Sequence, residues 1–217
     1  MALKLYAHPL SSYCQKVLIA LYENGTSFEL RMLGTPEADA DLTALWPLKK
    51  MPVLVDGECT VIESTVIIEY LGLHHPGSVK LLPDDPRAAL EVRFMDRFFD
   101  HYVMSAMQIP VFEALKTKGA REEEAMAEAR QALDTAYSWL ENRLADHIWA
   151  VGDAFSMADC AAAPSLFYAD WVHPIAAEFA NARRYRQRLL ARPSFARAVD
   201  EARPYRQYFP LGAPDRD

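Results

Sequence analysis

A small α/β unit followed by an all-helical half is the fold class that this 217-residue sequence predicts. Three observations predict it. Short strand and helix signals alternate up to residue 76, a Pro-rich stretch interrupts the chain over 77–86, and every periodic segment in 87–217 has helical spacing. These are the boundaries expected for a first domain, a linker and a second domain.

In the first unit, Leu3 to Ala7 reads as a strand, and Ser12 to Glu23 as a helix with Val17, Leu18, Leu21 and Tyr22 on its inner face. Asn24-Gly25 stops that helix. Ser27 to Met32 reads as a second strand and residues 37–45 as a weak helix. Val53 to Val55 and Thr60 to Ile62 flank Asp56-Gly57, a dipeptide favoured in hairpin turns, and Ser64 to Leu73 closes the unit as a helix. From His75 to Pro86 come three Pro, one Gly and two Asp around Leu81-Leu82, the composition of a linker that docks on a neighbour.

Beyond the linker, Ala88 to Lys118 carries a helical apolar pattern through Leu90, Phe94, Phe98, Tyr102 and Val103, with a bend expected at Pro110, which lacks an N–H. Arg121 to Leu144 is a second amphipathic helix and Ser156 to Trp171 a third. The third opens on Ser156-Met157-Ala158-Asp159, a capping box in which each side chain serves the other's backbone N–H, with Phe155 and Cys160 at the positions of a hydrophobic staple. Two shorter helices are expected over 181–201, separated at Arg192-Pro193.

Composition narrows the function classes. With 51% hydrophobic and 24% charged residues the chain can bury a full core. A net charge of −7 and a pI near 5.4 argue against nucleic acid, whose phosphates call for clustered Lys and Arg. No stretch approaches a membrane span. Three widely spaced Cys, at 14, 59 and 160, suggest neither a disulfide framework nor a closed metal site, so reduced thiols, a cytoplasmic location and no metal are expected.

Two segments carry the chemistry. In Lys49-Lys50-Met51-Pro52-Val53-Leu54-Val55, the Pro opening an apolar run marks a strand start and a candidate cis bond, which turns the backbone of Met51 outward. Beside that edge, Glu63-Ser64 stands at a helix start, where unpaired N–H groups favour an anion. The pair would suit a small charged peptide. The second segment, Ser11-Ser12-Tyr13-Cys14, follows the first strand and places two hydroxyls and a thiol at another helix start. Lowering the pKa of a bound thiol by two units from ~8.5 takes about 2.7 kcal/mol of preferential thiolate stabilisation, toward which a hydroxyl donor and free helix N–H groups contribute. The blander reading is a simple N-cap for Ser11 or Ser12 and a buried apolar role for Cys14.

Taken together, Ser11-x-x-Cys14, Met51-Pro52, Glu63-Ser64, Trp46-Pro47-x-Lys49 and Gly152-Asp153-x-Phe155-Ser156-x-Ala158-Asp159 resemble a cytosolic glutathione transferase, bacterial and of the serine-type, theta- and zeta-like kind. Trp46 departs from the Asn that many members carry. The resemblance implies a thioredoxin-like first domain and an all-helical second domain that contributes the electrophile pocket. It implies glutathione as co-substrate, an apolar electrophile as partner, a homodimer and a role in detoxification. It places Ser11 at the glutathione sulfur, with Ser12 and Tyr6 as fallbacks, and it assigns glutathione contacts to Lys50, Met51, Pro52, Glu63 and Ser64, with Lys49 the second choice for the glycine carboxylate. The electrophile would meet Phe98, Tyr102, Met104, Ser105, Gln108, Tyr168, Trp171 and Phe209, with His101 a further polar contact. Asp96 and Asp100 would reach glutathione across a dimer interface, unless they are merely exposed helical acids. Two other readings stay open: a non-catalytic glutathione-binding module, and a thiol oxidoreductase using Cys14.

Overall fold

The computed structural model describes residues 3–116 and 122–217. Strands β1 (Leu3–Ala7), β2 (Phe28–Met32), β3 (Val53–Asp56) and β4 (Cys59–Ile62) form one sheet in the order β2-β1-β3-β4. β1 and β2 run parallel, joined by helix α1 (Ser12–Glu23), while β3 is antiparallel to both β1 and β4. Helices α2 (Pro36–Leu45) and α3 (Ser64–His74) complete the thioredoxin-like unit. The β3–β4 hairpin turns at Gly57, whose φ of 60° a side chain rarely adopts, and each strand is one residue longer than its apolar run.

The sheet has two dry faces. Leu5, Ala7 and Leu54 belong to the main core with α1 and α3, whereas Tyr6 and Val53 pack with Leu33, Ala38 and Leu42 beneath α2. Residues 14–21 of α1 are all buried, because that helix lies between the sheet and the helical half and packs on both. The linker is clasped by Asn24, whose side chain accepts from the Val79 N–H at 2.8 Å and donates to the Val79 carbonyl at 3.1 Å. A Cβ on Gly77 would lie 2.2 Å from Asn24 Oδ1, so only glycine fits this approach.

The helical half comprises α4 (Pro86–Phe98), α5 (Ser105–Leu115), α6 (Glu122–Arg143), α7 (Met157–Val172), α8 (Ala180–Leu190) and α9 (Pro193–Ala202), then a 3₁₀ turn over Arg203–Tyr208. α4 and α5 are joined by a π-helical segment, Phe99–Met104, closed by a hydrogen bond from the Ser105 N–H to the Asp100 carbonyl. This irregularity lies upstream of Pro110, which sits inside α5, and Asp96 and Asp100 beside it turn inward. Lys118 and Arg121, the expected ends of two helices, fall outside the described residues. α7 is the spine of this half: residues 157–170 are buried throughout, and the predicted capping box forms at its start. There Asp159 accepts from the N–H groups of Ala150 and Ser156, both at 2.8 Å, from the Ser156 hydroxyl at 3.0 Å and from the Tyr185 hydroxyl at 2.6 Å. Among the described residues no helix is long and apolar enough to cross a membrane, and no cluster of His, Cys, Asp or Glu is arranged to hold a metal.

Candidate active site

The strand-to-helix turn after β1 delivers Ser11 to the mouth of a cleft between the two halves. Ser11 is the N-cap of α1; its N–H donates to the His8 carbonyl at 3.0 Å, and its oxygen accepts from the Cys14 N–H at a long 3.4 Å. The hydroxyl keeps its own proton to donate, and the Cys14 sulfur is one acceptor within its reach. Ser12, next in the chain, also touches the cleft but is largely buried. Cys14 has no exposed surface. Burial pushes its thiol up to about 11, against smaller opposing effects of hydrogen bonds from Ser11 and His8, so it is protonated at neutral pH and poorly suited to nucleophilic attack. Cys59 is exposed, Cys160 is buried, and none of the three is in a disulfide.

The second edge of the cleft comes from β3 and α3. The Met51-Pro52 bond is cis, and Met51 lies outside the ladder, which begins with Val53 opposite Tyr6. Met51 lines the cleft, while Lys49 and Lys50 stand exposed beside it. Glu63 precedes α3 at φ 71° and ψ 121°, a conformation costing about 1–3 kcal/mol for a residue with a side chain. It is exposed and provides no side-chain cap, which leaves the first-turn N–H groups of α3 without a side-chain acceptor, next to the nearly buried Ser64.

A buried charge cluster supports that helix start from below. Lys16 Nζ lies 2.6 Å from Asp96 and 2.8 Å from Asp100, and Arg97 pairs with the same two acids at 2.6 and 2.8 Å. The Thr65 hydroxyl, adjacent to Ser64, donates to Asp96 at 2.8 Å and accepts from Lys16 at 2.9 Å and from Arg97. Two cations balance two carboxylates, so the cluster carries no net charge yet ties α3 to α1 and α4. Burial raises the Asp100 pKa, with Lys16 opposing it.

The third wall is helical. The cleft, of about 350 Å³, is lined by Ser11 and Met51 on one side and by Gln108, Phe112, Tyr168 and Phe209 among others on the other. The Tyr168 hydroxyl is already engaged, donating to the Leu10 carbonyl at 2.8 Å and accepting from Gln15 at 3.1 Å. Its ring stacks on Phe209 at 6.1 Å, leaving an apolar surface toward the cleft.

The structure does not bring every expected residue here. Tyr6 lies on the far face of the sheet, where its hydroxyl donates to Asp41 at 3.3 Å, so it is separated from Ser11 by the sheet itself. Phe98, Tyr102 and Ser105, with His101, line a different groove against α6. α5 presents opposite faces to these two hollows: Ser105 and Ile109 look toward α6, and Gln108, Val111, Phe112 and Leu115 toward the cleft. Met104 is buried core, and Trp171 sits behind the wall against Phe167, Tyr168 and Phe209. Asp96 and Asp100 are neither exposed nor at the cleft, because both are sequestered by Lys16 and Arg97. Sequence reasoning missed His8, Leu10 and Tyr13 and the stripe at 107, 111, 112 and 115. The i, i+3, i+4 spacing from Gln108 was the available signal.

Comparison with known proteins identifies the family. A model of the glutathione S-transferase N-terminal domain matches residues 5–79, and one of the C-terminal domain matches residues 94–193. The chain is 28% identical over 213 residues to a probable maleylacetoacetate isomerase of Vibrio cholerae, covering 94% of this chain and 98% of that one. It is 30% identical over 212 residues to glutathione S-transferase Z2 of Arabidopsis thaliana, covering 93% and 92%. Among solved structures, a glutathione S-transferase of Methylobacterium radiotolerans in complex with glutathione sulfonate superposes with a TM-score of 0.76 at 32% identity, covering 92% and 95%. A thioredoxin-like unit with Ser11 at its first helix, a cis Met51-Pro52 edge and an uncapped α3, joined to this helical half, belongs to the glutathione S-transferase family, and the chain is an enzyme of that family.

Proposed function

We propose that the cleft binds glutathione along its β3–α3 edge and directs the thiolate at an uncharged, apolar electrophile. In this reading residues 1–76 hold glutathione, 77–86 link the domains and 87–217 supply the electrophile wall. The backbone of Met51 beside Pro52 pairs with the cysteinyl amides, Lys50 or its neighbour Lys49 meets the glycine carboxylate, and Glu63 takes the γ-glutamyl ammonium. The Ser64 hydroxyl and N–H receive the γ-glutamyl carboxylate, where the open start of α3 favours negative charge. Ser11 donates to the sulfur and favours its thiolate, with Ser12 the alternative donor.

The observation that carries the reading is that Ser11 and Met51 line one cleft whose opposite wall is apolar. Among the described lining residues there is no Lys or Arg, which supports an uncharged second substrate. The thiol proton leaves, sulfur bonds to the electrophilic carbon, and either a leaving group departs or the adduct persists. Where the electrophile is a double bond, rotation about the adduct and expulsion of the thiolate would isomerise it, the kind of reaction in the name of the Vibrio relative.

Ser11→Ala tests the assignment. The thiolate absorbance of bound glutathione should vanish at pH 7, and kcat/KM for an aryl halide should fall about 10²–10³-fold while glutathione affinity changes little. An unchanged thiolate band would pass this role to Ser12, which lines the same cleft, whereas absence of the band from the unaltered protein at pH 7 would leave the binding-module reading. Cys14→Ser should leave the rate within about twofold, separating this chemistry from a mixed-disulfide mechanism.

A homodimer, a cytoplasmic location and a part in detoxification complete the proposal. Support for the dimer comes from the groove between the α4–α5 region and α6, about 840 Å³, where Phe94, Tyr102 and Trp139 are exposed around Phe98. Tyr102→Arg should shift the protein toward monomer in sedimentation equilibrium; an unchanged mass would place the contact elsewhere.

A further inference from the structure

The helical half carries a second, strongly basic cavity, separate from the cleft. It measures about 410 Å³ and is lined by Asp170 of α7, Ile175 after it, Arg183, Arg186 and Gln187 of α8, and Arg216 of the C-terminal tail. The α8 residues are spaced i, i+3 and i+4, which puts them on one helix face.

The charges here do not balance. Asp170 is the sole carboxylate in the lining. Its Oδ1 accepts from the Ile175 N–H at 2.9 Å, and its Oδ2 is taken by Arg216, which also donates to the Asp170 carbonyl at 2.6 Å. The nearby carboxylate of Asp217 is engaged by Arg203 and Arg206. Arg183 is exposed and takes no part in the ion pairs that Asp170 makes with Arg186 and Arg216. Three guanidinium groups thus line a cavity that holds one carboxylate.

Arg186 is the group left short. Its side chain is only 11% exposed, and its Nε and Nη2 are buried without a hydrogen-bond acceptor. Nη2 stands 3.3 Å from Asp170 Oδ2 but lacks the alignment of a hydrogen bond. A buried guanidinium with idle N–H donors is costly unless an oxyanion meets it. Phosphate suits the surplus of two positive charges, and its oxygens can be reached by guanidinium groups from several directions, whereas a planar carboxylate offers two oxygens and one charge.

We propose that this cavity binds a phosphate group, free or as a small monoester, with Arg183, Arg186 and Arg216 as its charged ligands and Gln187 as a neutral donor. The assignment stands independently of the glutathione site. Titration calorimetry of the full chain with inorganic phosphate, at fixed ionic strength, should give one saturable site with Kd of about 1 mM or tighter. Arg183→Gln, at an exposed position, should weaken it at least ~10-fold with the fold intact, and Arg186→Gln should abolish it. Arg184→Gln, on the neighbouring residue that pairs with Asn181, should leave it unchanged. Glycerol phosphate binding more tightly than inorganic phosphate would identify a monoester as the ligand; the reverse order would identify free phosphate, and either supports the site. Absence of saturation at about 20 mM, equal losses in Arg183→Gln and Arg184→Gln, or acetate binding as well as phosphate would overturn it.

Discussion

Helices α3 and α7 begin in opposite ways. α7 starts in the interior, with its N-terminus closed by Ser156 and Asp159 and with Asp159 accepting four hydrogen bonds. α3 starts at the surface behind a positive-φ Glu63 that caps nothing. Both ends carry the same partial positive charge and the same orphan N–H groups. Where the chain supplies its own acceptor, the helix start becomes a folding device. Where it withholds one and accepts a strained residue, the start remains open to an external carboxylate. The buried Lys16–Asp96–Asp100–Arg97 cluster holds the open end in place through Thr65.

The largest effect should come from opening the closed end. Asp159→Ala strands buried donors from Ala150, Ser156 and Tyr185 and should cost about 3–5 kcal/mol in urea unfolding, with glutathione affinity retained in the fraction still folded. Ser64→Ala should do the converse, weakening glutathione binding by about 1.5–3 kcal/mol in calorimetry while the unfolding midpoint barely moves. If Ser64→Ala unfolded the protein instead, the two ends would not differ in kind. Glu63→Gly should relieve the positive-φ conformation and stabilise the fold by up to about 1 kcal/mol, at the expense of glutathione affinity.

The smallest effect concerns the third helix start, α1. A thiol held up to about 11 by burial stays protonated below that pH, so thiol-specific reagents at pH 8 should modify exposed Cys59 alone. Rapid labelling of Cys14 in the folded protein would show that the start of α1 opens.

Much of this was legible in the residues. The capping box at Ser156, the hairpin at Gly57, the cis bond at Pro52 and the helix start at Ser64 each depend on local chemistry that a few neighbouring residues specify. Tyr6 was not legible. β1 alternates, with Leu3, Leu5 and Ala7 on one face and Lys4 and Tyr6 on the other, but alternation does not say which face meets α1 and which meets α2. The 98, 102 and 105 stripe was read as pocket for a related reason: spacing tells which residues share a helix face and says nothing of what that face meets. Asp96 and Asp100 read as acids that reach glutathione across a dimer interface or stand exposed on their helix; instead a distant segment of the chain puts Lys16 within 3 Å of both.

The sequence by itself therefore determined the strands and helices, the capping box of α7 and the cis edge at Met51-Pro52, because those follow from backbone conformation and nearest neighbours. Only the tertiary structure decided which face of α5 forms the cleft, where Tyr6 points, and which charges are paired or left idle at Arg186. Those outcomes rest on burial and on contacts between residues far apart in the chain, which local periodicity does not encode.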